Sequence, residues 1–140
     1  MSTTPFHLAF PVRDLEETRA FYRDVLGANI GRSSESWVDF DLFGHQLSAH
    51  SRPGMTKADG SGQVDGHAVP IPHFGVVLTM TDWQALADRL TERDDVDWIK
   101  RPMIRFKDEP GEQATLFLYD PSGNALEFKG FSDMNRVFAS

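Results

Sequence analysis

No cysteine occurs among the 140 residues. That one absence removes disulfides, thiolate nucleophiles, iron–sulfur clusters and cysteine-bound zinc together, so any metal must be held by His and carboxylate. Positive charge is also scarce, with 14 Lys and Arg against 21 Asp and Glu and a formal net charge of −7. The longest basic cluster is Lys100-Arg101, far short of the concentrated basic face that phosphate backbones require, so nucleic acid is not an expected partner. No stretch approaches the ~20 apolar residues needed to cross a bilayer, and a membrane partner is not expected either. The start, MSTTPFHLAF, lacks the basic n-region and long apolar core of a signal peptide, which makes a cytoplasmic location the expectation. Neither G-x-x-x-x-G-K nor G-x-G-x-x-G spacing is present, so no phosphate cradle is legible.

What is there reads as short strands and two amphipathic helices. Phe6 to Val12 is apolar and β-forming, with Pro11 suggesting a strand end or an edge. DLEETRAFYRDVLG then shifts to helical period. Asp14 is its expected N-cap, Glu16 and Glu17 sit at the positive end of the dipole, and Gly27 occupies the C-cap position. After a polar turn, GRSSES, residues 37–43 alternate with period two; Gly44-His45 reads as a turn and 46–50 as the returning strand. Residues 52–70, rich in glycine, form a long loop that reads as a linker or an active-site flap.

The order then repeats. A strand over 71–79 precedes a helix over 80–90, with Trp83, Leu86, Ala87 and Leu90 on one face and Asp82 or Thr81 as cap. Short strands are expected over 96–101 and 103–107, then 114–119 and 125–130, the last two flanking an Asp120-Pro-Ser-Gly123 turn; the final ten residues read as a loose tail. Two β-α-β-β-β modules, about 5–51 and 71–131, would each leave one sheet face to be buried, which is why such repeats occur in sets. The expectation is a single α+β domain of paired βαβββ modules.

The repeat carries a chemical consequence. His7 and His73 open equivalent first strands, and Glu127 lies on the last strand of the second module; its first-module counterpart, counted from the turn glycine, is Ser48, with His50 two residues further along the same face. Two histidines and one carboxylate converging between sheets would suit a divalent metal with open positions, non-haem Fe(II) or catalytic zinc. The bland alternatives are that the histidines cap strand starts and that Glu127 points to solvent while Leu126 fills the core.

His7, the helix start Asp14 to Tyr22, Val25-Leu26-Gly27 and the run DPSGNALE ending at Glu127 together resemble the vicinal oxygen chelate superfamily. It includes glyoxalase I, extradiol dioxygenases, fosfomycin-resistance transferases and bleomycin-resistance proteins. The strings FHLAFPVRDL, FGHQLSAH, PHFGVVLTM and GEQATLFLYDPSGNALEFK look closest to a bacterial extradiol-dioxygenase-like subgroup. The resemblance implies modules curling into an incomplete barrel around a central cleft, a homodimer, and a small-molecule substrate. It further implies a divalent metal, Fe(II) favoured with Mn, Zn or Ni as alternatives, on His7, His73 and Glu127. The fourth metal position falls on Ser48 or His50, neither of them the carboxylate that glyoxalase I typically carries.

Around those ligands, His50 reads as a fourth ligand, an acid/base group or a strand-end residue, and Tyr119 as a hydrogen-bond donor to an oxygen on the metal or as core. Arg105 and Lys107 alternate with Ile104 and Phe106, either as a solvated face or as recognition of an anionic substrate. Trp37, Phe40, Phe43, Phe74 and Phe117 are read as packing, with Trp37 a candidate pocket wall. His45 is expected at the surface, and His67 sits in the long loop.

Overall fold

Alternating polarity and two capped helices build the same unit twice. The computed structural model describes residues 4–55, 63, 64 and 67–139. The chain divides into two compact units: Met1–Asp59 with Asp120–Asn124, and Gly60–Tyr119 with Ala125–Ser140. The first contains β1 (His7–Val12), α1 (Leu15–Ala20), a π-helical turn (Phe21–Val25), β2 (Asn29–Ser33), β3 (Trp37–Leu42) and β4 (His45–Ser51). After a short ribbon of β5 (Gln63–Val64) and β6 (His67–Ala68), the second contains β7 (Val77–Thr79), α2 (Met80–Thr91), β8 (Asp97–Arg105), β9 (Gln113–Tyr119) and β10 (Ala125–Phe131). Each unit carries an open four-stranded mixed sheet with the same order, β1-β4-β3-β2 and β7-β10-β9-β8. In both, the first strand pairs parallel with the last and the remaining pairs are antiparallel. The α+β class and the repeated β-α-β-β-β order expected from the sequence are what is found.

In the first unit Phe10, Val12, Val38, Phe40, Leu42, Leu47 and Ala49 turn to one side of the sheet and are buried with Phe21, Tyr22, Val25 and Leu26 of the helical segment. Asp14 caps α1 by accepting from the Glu17 N–H at 2.8 Å, and Gly27 follows with φ +81°. Tyr22 stacks on Phe40 with centroids 4.9 Å apart. Its hydroxyl donates to Asp120 Oδ2 at 2.8 Å. Asp120 is almost fully buried and also accepts from the backbone N–H groups of Ser122 and Asn124 and from the Asn124 side chain. Asn124 in turn donates to the Pro11 carbonyl, and Ser122 accepts from the Arg13 N–H. The DPSGN turn is thus a hydrogen-bonded part of the first unit, although it connects β9 to β10.

In the second unit α2 buries Trp83, Leu86, Ala87 and Leu90, as its period predicts, with Leu116, Leu118, Leu126 and Phe128 of β9 and β10 buried as well. The Trp83 indole N–H donates to the Phe128 carbonyl at 3.0 Å. A Cβ on Gly130 would stand 2.6 Å from Trp83 Cβ, so the helix can rest on β10 only where that strand has no side chain.

Several expectations are corrected. The helix cap is Thr79, not Thr81 or Asp82, because α2 starts directly at the end of β7 and the Thr79 hydroxyl accepts from the Asp82 N–H. The GRSSES turn begins inside β2, a fully exposed edge strand with no apolar face to announce it. The two short strands around Pro102 are one, β8, which tolerates proline as an edge strand and shifts register twice on the way. Regular pairing in β7 is confined to its last three residues, with Phe74 making only an isolated bridge to Leu126. The first hairpin turns on Phe43 and Gly44, both at positive φ, so Phe43 is exposed rather than packed and His45 opens β4. Part of the tail forms a 3-10 turn, Met134–Arg136. Of the long loop, residues 56–62, 65 and 66 and the side chain of His67 lie outside what the structure describes. Among the described residues no helix is long and apolar enough to cross a membrane.

The buried Asp120 makes stability depend on pH. Burial pushes its carboxyl above the ordinary value of 3.8, against the opposing pull of its four hydrogen bonds, while burial and the Asp120 charge hold the Tyr22 phenol well above its usual range and therefore protonated. A carboxyl whose folded pKa is raised binds its proton more tightly when folded. Its stabilising contribution is complete below the unfolded value and is lost as pH rises through the raised folded value. Urea unfolding across that range should show this loss in the wild type, and Asp120→Asn should remove that component. At neutral pH, Tyr22→Phe should cost about 1–3 kcal/mol by taking a donor from a buried acceptor.

Candidate functional site

Period two sends Leu126 and Phe128 into the α2 side of β10 and Glu127 to the opposite face. Glu127 retains 13% side-chain exposure. Beside it the chain runs through Phe74, Gly75 and Val76, tied to β10 by bonds from Phe74 N to Ala125 O, Glu127 N to Phe74 O and Lys129 N to Val76 O. A Cβ on Gly75 would stand 1.6 Å from the Glu127 carbonyl oxygen. Glycine alone permits this approach, and the approach places His73 over the Glu127 side chain.

His73 Nε2 lies 3.2 Å from Glu127 Oε1. Its other ring nitrogen, Nδ1, donates to the Pro70 carbonyl at 2.8 Å, and because a carbonyl can only accept, Nδ1 carries the proton. In the neutral ring, Nε2 therefore presents a lone pair to a carboxylate oxygen. Two lone pairs face each other, an arrangement stabilised by a shared cation, either a proton or a metal ion. The ring packs nearly perpendicular to Phe117, centroids 4.9 Å apart at 79°, and Glu127 Oε2 accepts from the Thr115 hydroxyl at 2.6 Å.

In the first unit His7 is exposed at the start of β1, and its Nδ1 donates to Gln46 Oε1 at 2.8 Å. As in His73, an oxygen holds Nδ1 and leaves Nε2 as the available nitrogen. His7, Arg32, Asp39, Gln46, Phe6 and Phe40 help to line an open groove of about 450 Å3. Ser48 is buried and donates to Asp39 Oδ1 at 2.6 Å, while Asp39 Oδ2 lies 3.9 Å from Arg32 Nε. His50 is exposed, level with Trp37 and Pro11 on the neighbouring strands. Trp37 is half-buried, with the Arg32 guanidinium 5.9 Å from its ring.

The remaining candidates sit on the second sheet. Register places Arg105 opposite Gln113 and Tyr119 opposite Ala125, on the same face as Thr115, Phe117 and Glu127. Arg105 is exposed, its guanidinium 5.4 Å from the Phe106 ring; Tyr119 is half-buried; Lys107 is exposed beyond the strand end. The structure thus brings His73 and Glu127 together. Among the described residues no set of three or more His, Asp and Glu is gathered closely enough to hold a metal ion. Sequence reasoning missed three residues. Asp39 was detectable, since its parity in WVDFDL opposes that of the buried Val38 and Phe40. Thr115 and Gly75 had no local signal, because what each does depends on a partner strand.

Comparison with known proteins supplies the context. The family model described as Glyoxalase/Bleomycin resistance protein/Dioxygenase superfamily matches residues 4–128. The crystal structure of a glyoxalase/bleomycin resistance protein/dioxygenase from Alicyclobacillus acidocaldarius is 29% identical, covers 96% of each chain and superposes with a TM-score of 0.76. The fosfomycin resistance protein FosX from Listeria monocytogenes shares the fold at 16% identity and a TM-score of 0.66, over 98% of this chain and 100% of that one. Metallothiol transferase FosB from Lysinibacillus sphaericus is 25% identical over 124 residues, 87% of this chain and 78% of that protein.

The glycine contact yields a direct test. Gly75→Ala should destabilise the protein by about 1–3 kcal/mol or more, since backbone rather than a flexible side chain must move. The displaced segment should carry His73 away from Glu127, to be seen as an altered His73 ring resonance in an NMR spectrum.

Proposed function

This chain belongs to the glyoxalase/bleomycin resistance protein/dioxygenase superfamily, and from that membership we propose that it is a metal-dependent enzyme acting on a small molecule with vicinal oxygens, an extradiol-type dioxygenase in preference to other family chemistries. The observation that carries the reading is the His73–Glu127 pair, with Nε2 3.2 Å from Oε1 and the far ring nitrogen held by Pro70. That donor set fits a divalent ion. His7, whose Nε2 is left available in the same way, is the proposed third ligand. Two histidines and one carboxylate suit Fe(II) with open positions, and Mn, Zn or Ni are the alternatives. When bound, such an ion supplies Lewis-acid polarisation of the substrate's oxygens and a meeting point for substrate and O₂.

The protein's own groups do the rest. Pro70 fixes the His73 tautomer, and Phe117 packs against the ring. Arg105, on the Glu127 face, offers a cation to an anionic substrate such as a catecholate, with Lys107 beyond it and Trp37 as a wall in the first unit. Tyr119, on that same face, and His50 are the proton-handling candidates. A homodimer is the proposed assembly. The relationship to a metallothiol transferase supports a second reading, transfer of a thiol to a small electrophile.

Protein purified without oxygen should take up about one Fe(II) per chain, and Glu127→Ala and His73→Ala should each abolish stoichiometric loading. The loaded wild type should consume oxygen with catechols. Consumption of a thiol with fosfomycin, without oxygen uptake, would replace dioxygenation by transfer; equal metal content in wild type and both variants would overturn the metal assignment.

A further inference from the structure

A carboxylate has two equivalent oxygens, and rotation about its terminal bond exchanges them unless something distinguishes the two. At Glu127 something does. Thr115, on β9, donates its hydroxyl proton to Oε2 at 2.6 Å, while Oε1 faces His73 Nε2 at 3.2 Å. The donor comes from a strand whose register is set by the β9–β10 ladder, in which Thr115 stands opposite Lys129 and is diagonal to Glu127. Thr115 is partly buried, so water competes poorly for the carboxylate, and β-branching restricts the side chain's rotamers within a strand. The hydroxyl is therefore aimed by the sheet.

The first unit carries the same contact with its members exchanged. There the hydroxyl, Ser48, is on the last strand and the carboxylate, Asp39, on the one before it, again at 2.6 Å. In both repeats a hydroxyl from one of these two neighbouring strands holds one oxygen of a carboxylate on the other.

We propose that Thr115 is a positioning residue for the metal site: by occupying Oε2 it reserves Oε1, turned toward His73 Nε2, as the ligand oxygen. This rests on the reading that His73 and Glu127 hold a divalent ion. Thr115 itself touches neither the ion nor the substrate; it acts through Glu127, as Pro70 acts through His73. Together the two contacts orient both ligands of the pair before the ion arrives, and losing one such outer partner ordinarily weakens metal binding by about 10–100-fold.

The probe is Mn(II) alone, its binding followed by the loss of the free-ion electron paramagnetic resonance signal, with thermal unfolding of each metal-free variant as the check on folding. Thr115→Val keeps the shape and strand preference of the side chain and removes only the donor; it should weaken Mn(II) binding by about 10–100-fold. Thr115→Ser restores the hydroxyl and should return affinity close to that of the wild type, a rescue that a purely packing role for Thr115 would not produce. Should valine prevent folding, Thr115→Ala provides the same comparison with a smaller side chain. Wild-type affinity in Thr115→Val or Thr115→Ala, with binding lost in Glu127→Ala, overturns the role of Thr115 and leaves the metal reading intact. Weakened binding that serine does not restore also overturns it. Equal binding by wild type and Glu127→Ala overturns the metal reading and this proposal with it.

Discussion

Parallel pairing of the first strand with the last organises each unit. A parallel partner cannot be reached by a tight turn, so the chain must cross over before it returns. Here the crossover is a helix followed by two antiparallel strands: α1, β2 and β3 in one unit, α2, β8 and β9 in the other. The helix buries one sheet face, and the polar residues of alternating strands are left on the other. His7 opens β1 beside β4, whereas His73, expected to open a strand, stands four residues before β7 in an extended segment bonded to β10. His7 therefore meets Gln46, 39 residues away, and His73 meets Glu127.

Two carboxylates show how the same group serves different ends. Asp120 is saturated: Tyr22, two backbone N–H groups and the Asn124 amide all donate to it, and it secures a turn and a tyrosine in the first unit. Glu127 receives one hydroxyl and otherwise faces His73 Nε2. A fully satisfied buried carboxylate contributes to structure. A partly satisfied one beside an oriented imidazole is prepared to accept a cation, and the proposed chemistry lies there.

Close backbone approach is the second recurring device. Gly75 lets the segment after His73 lie on the Glu127 peptide, and Gly130 lets Trp83 lie on β10. Neither glycine is needed for a turn. Each is a place where a methyl group would separate two elements that have to touch, so one protects the site and the other the core beneath it.

Much of this was legible along the chain. Period two in β10 set Glu127 apart from Leu126 and Phe128, helical period picked out the buried face of α2, Asp14 and Gly27 bounded the first helix, and the repeated element order showed two like units. The exposed edge strand β2 was illegible because it has no apolar face, and the α2 cap was misplaced because no loop separates β7 from the helix. Parity, period and capping are local, decided by neighbours a few residues away, so sequence alone determined which side chains share a face. Which nitrogen of His73 is free, which oxygen of Glu127 is held, and why residue 75 has no side chain were decided only by tertiary structure. Each depends on a partner, Pro70, Thr115 or the Glu127 peptide, whose position is set by strand pairing and register.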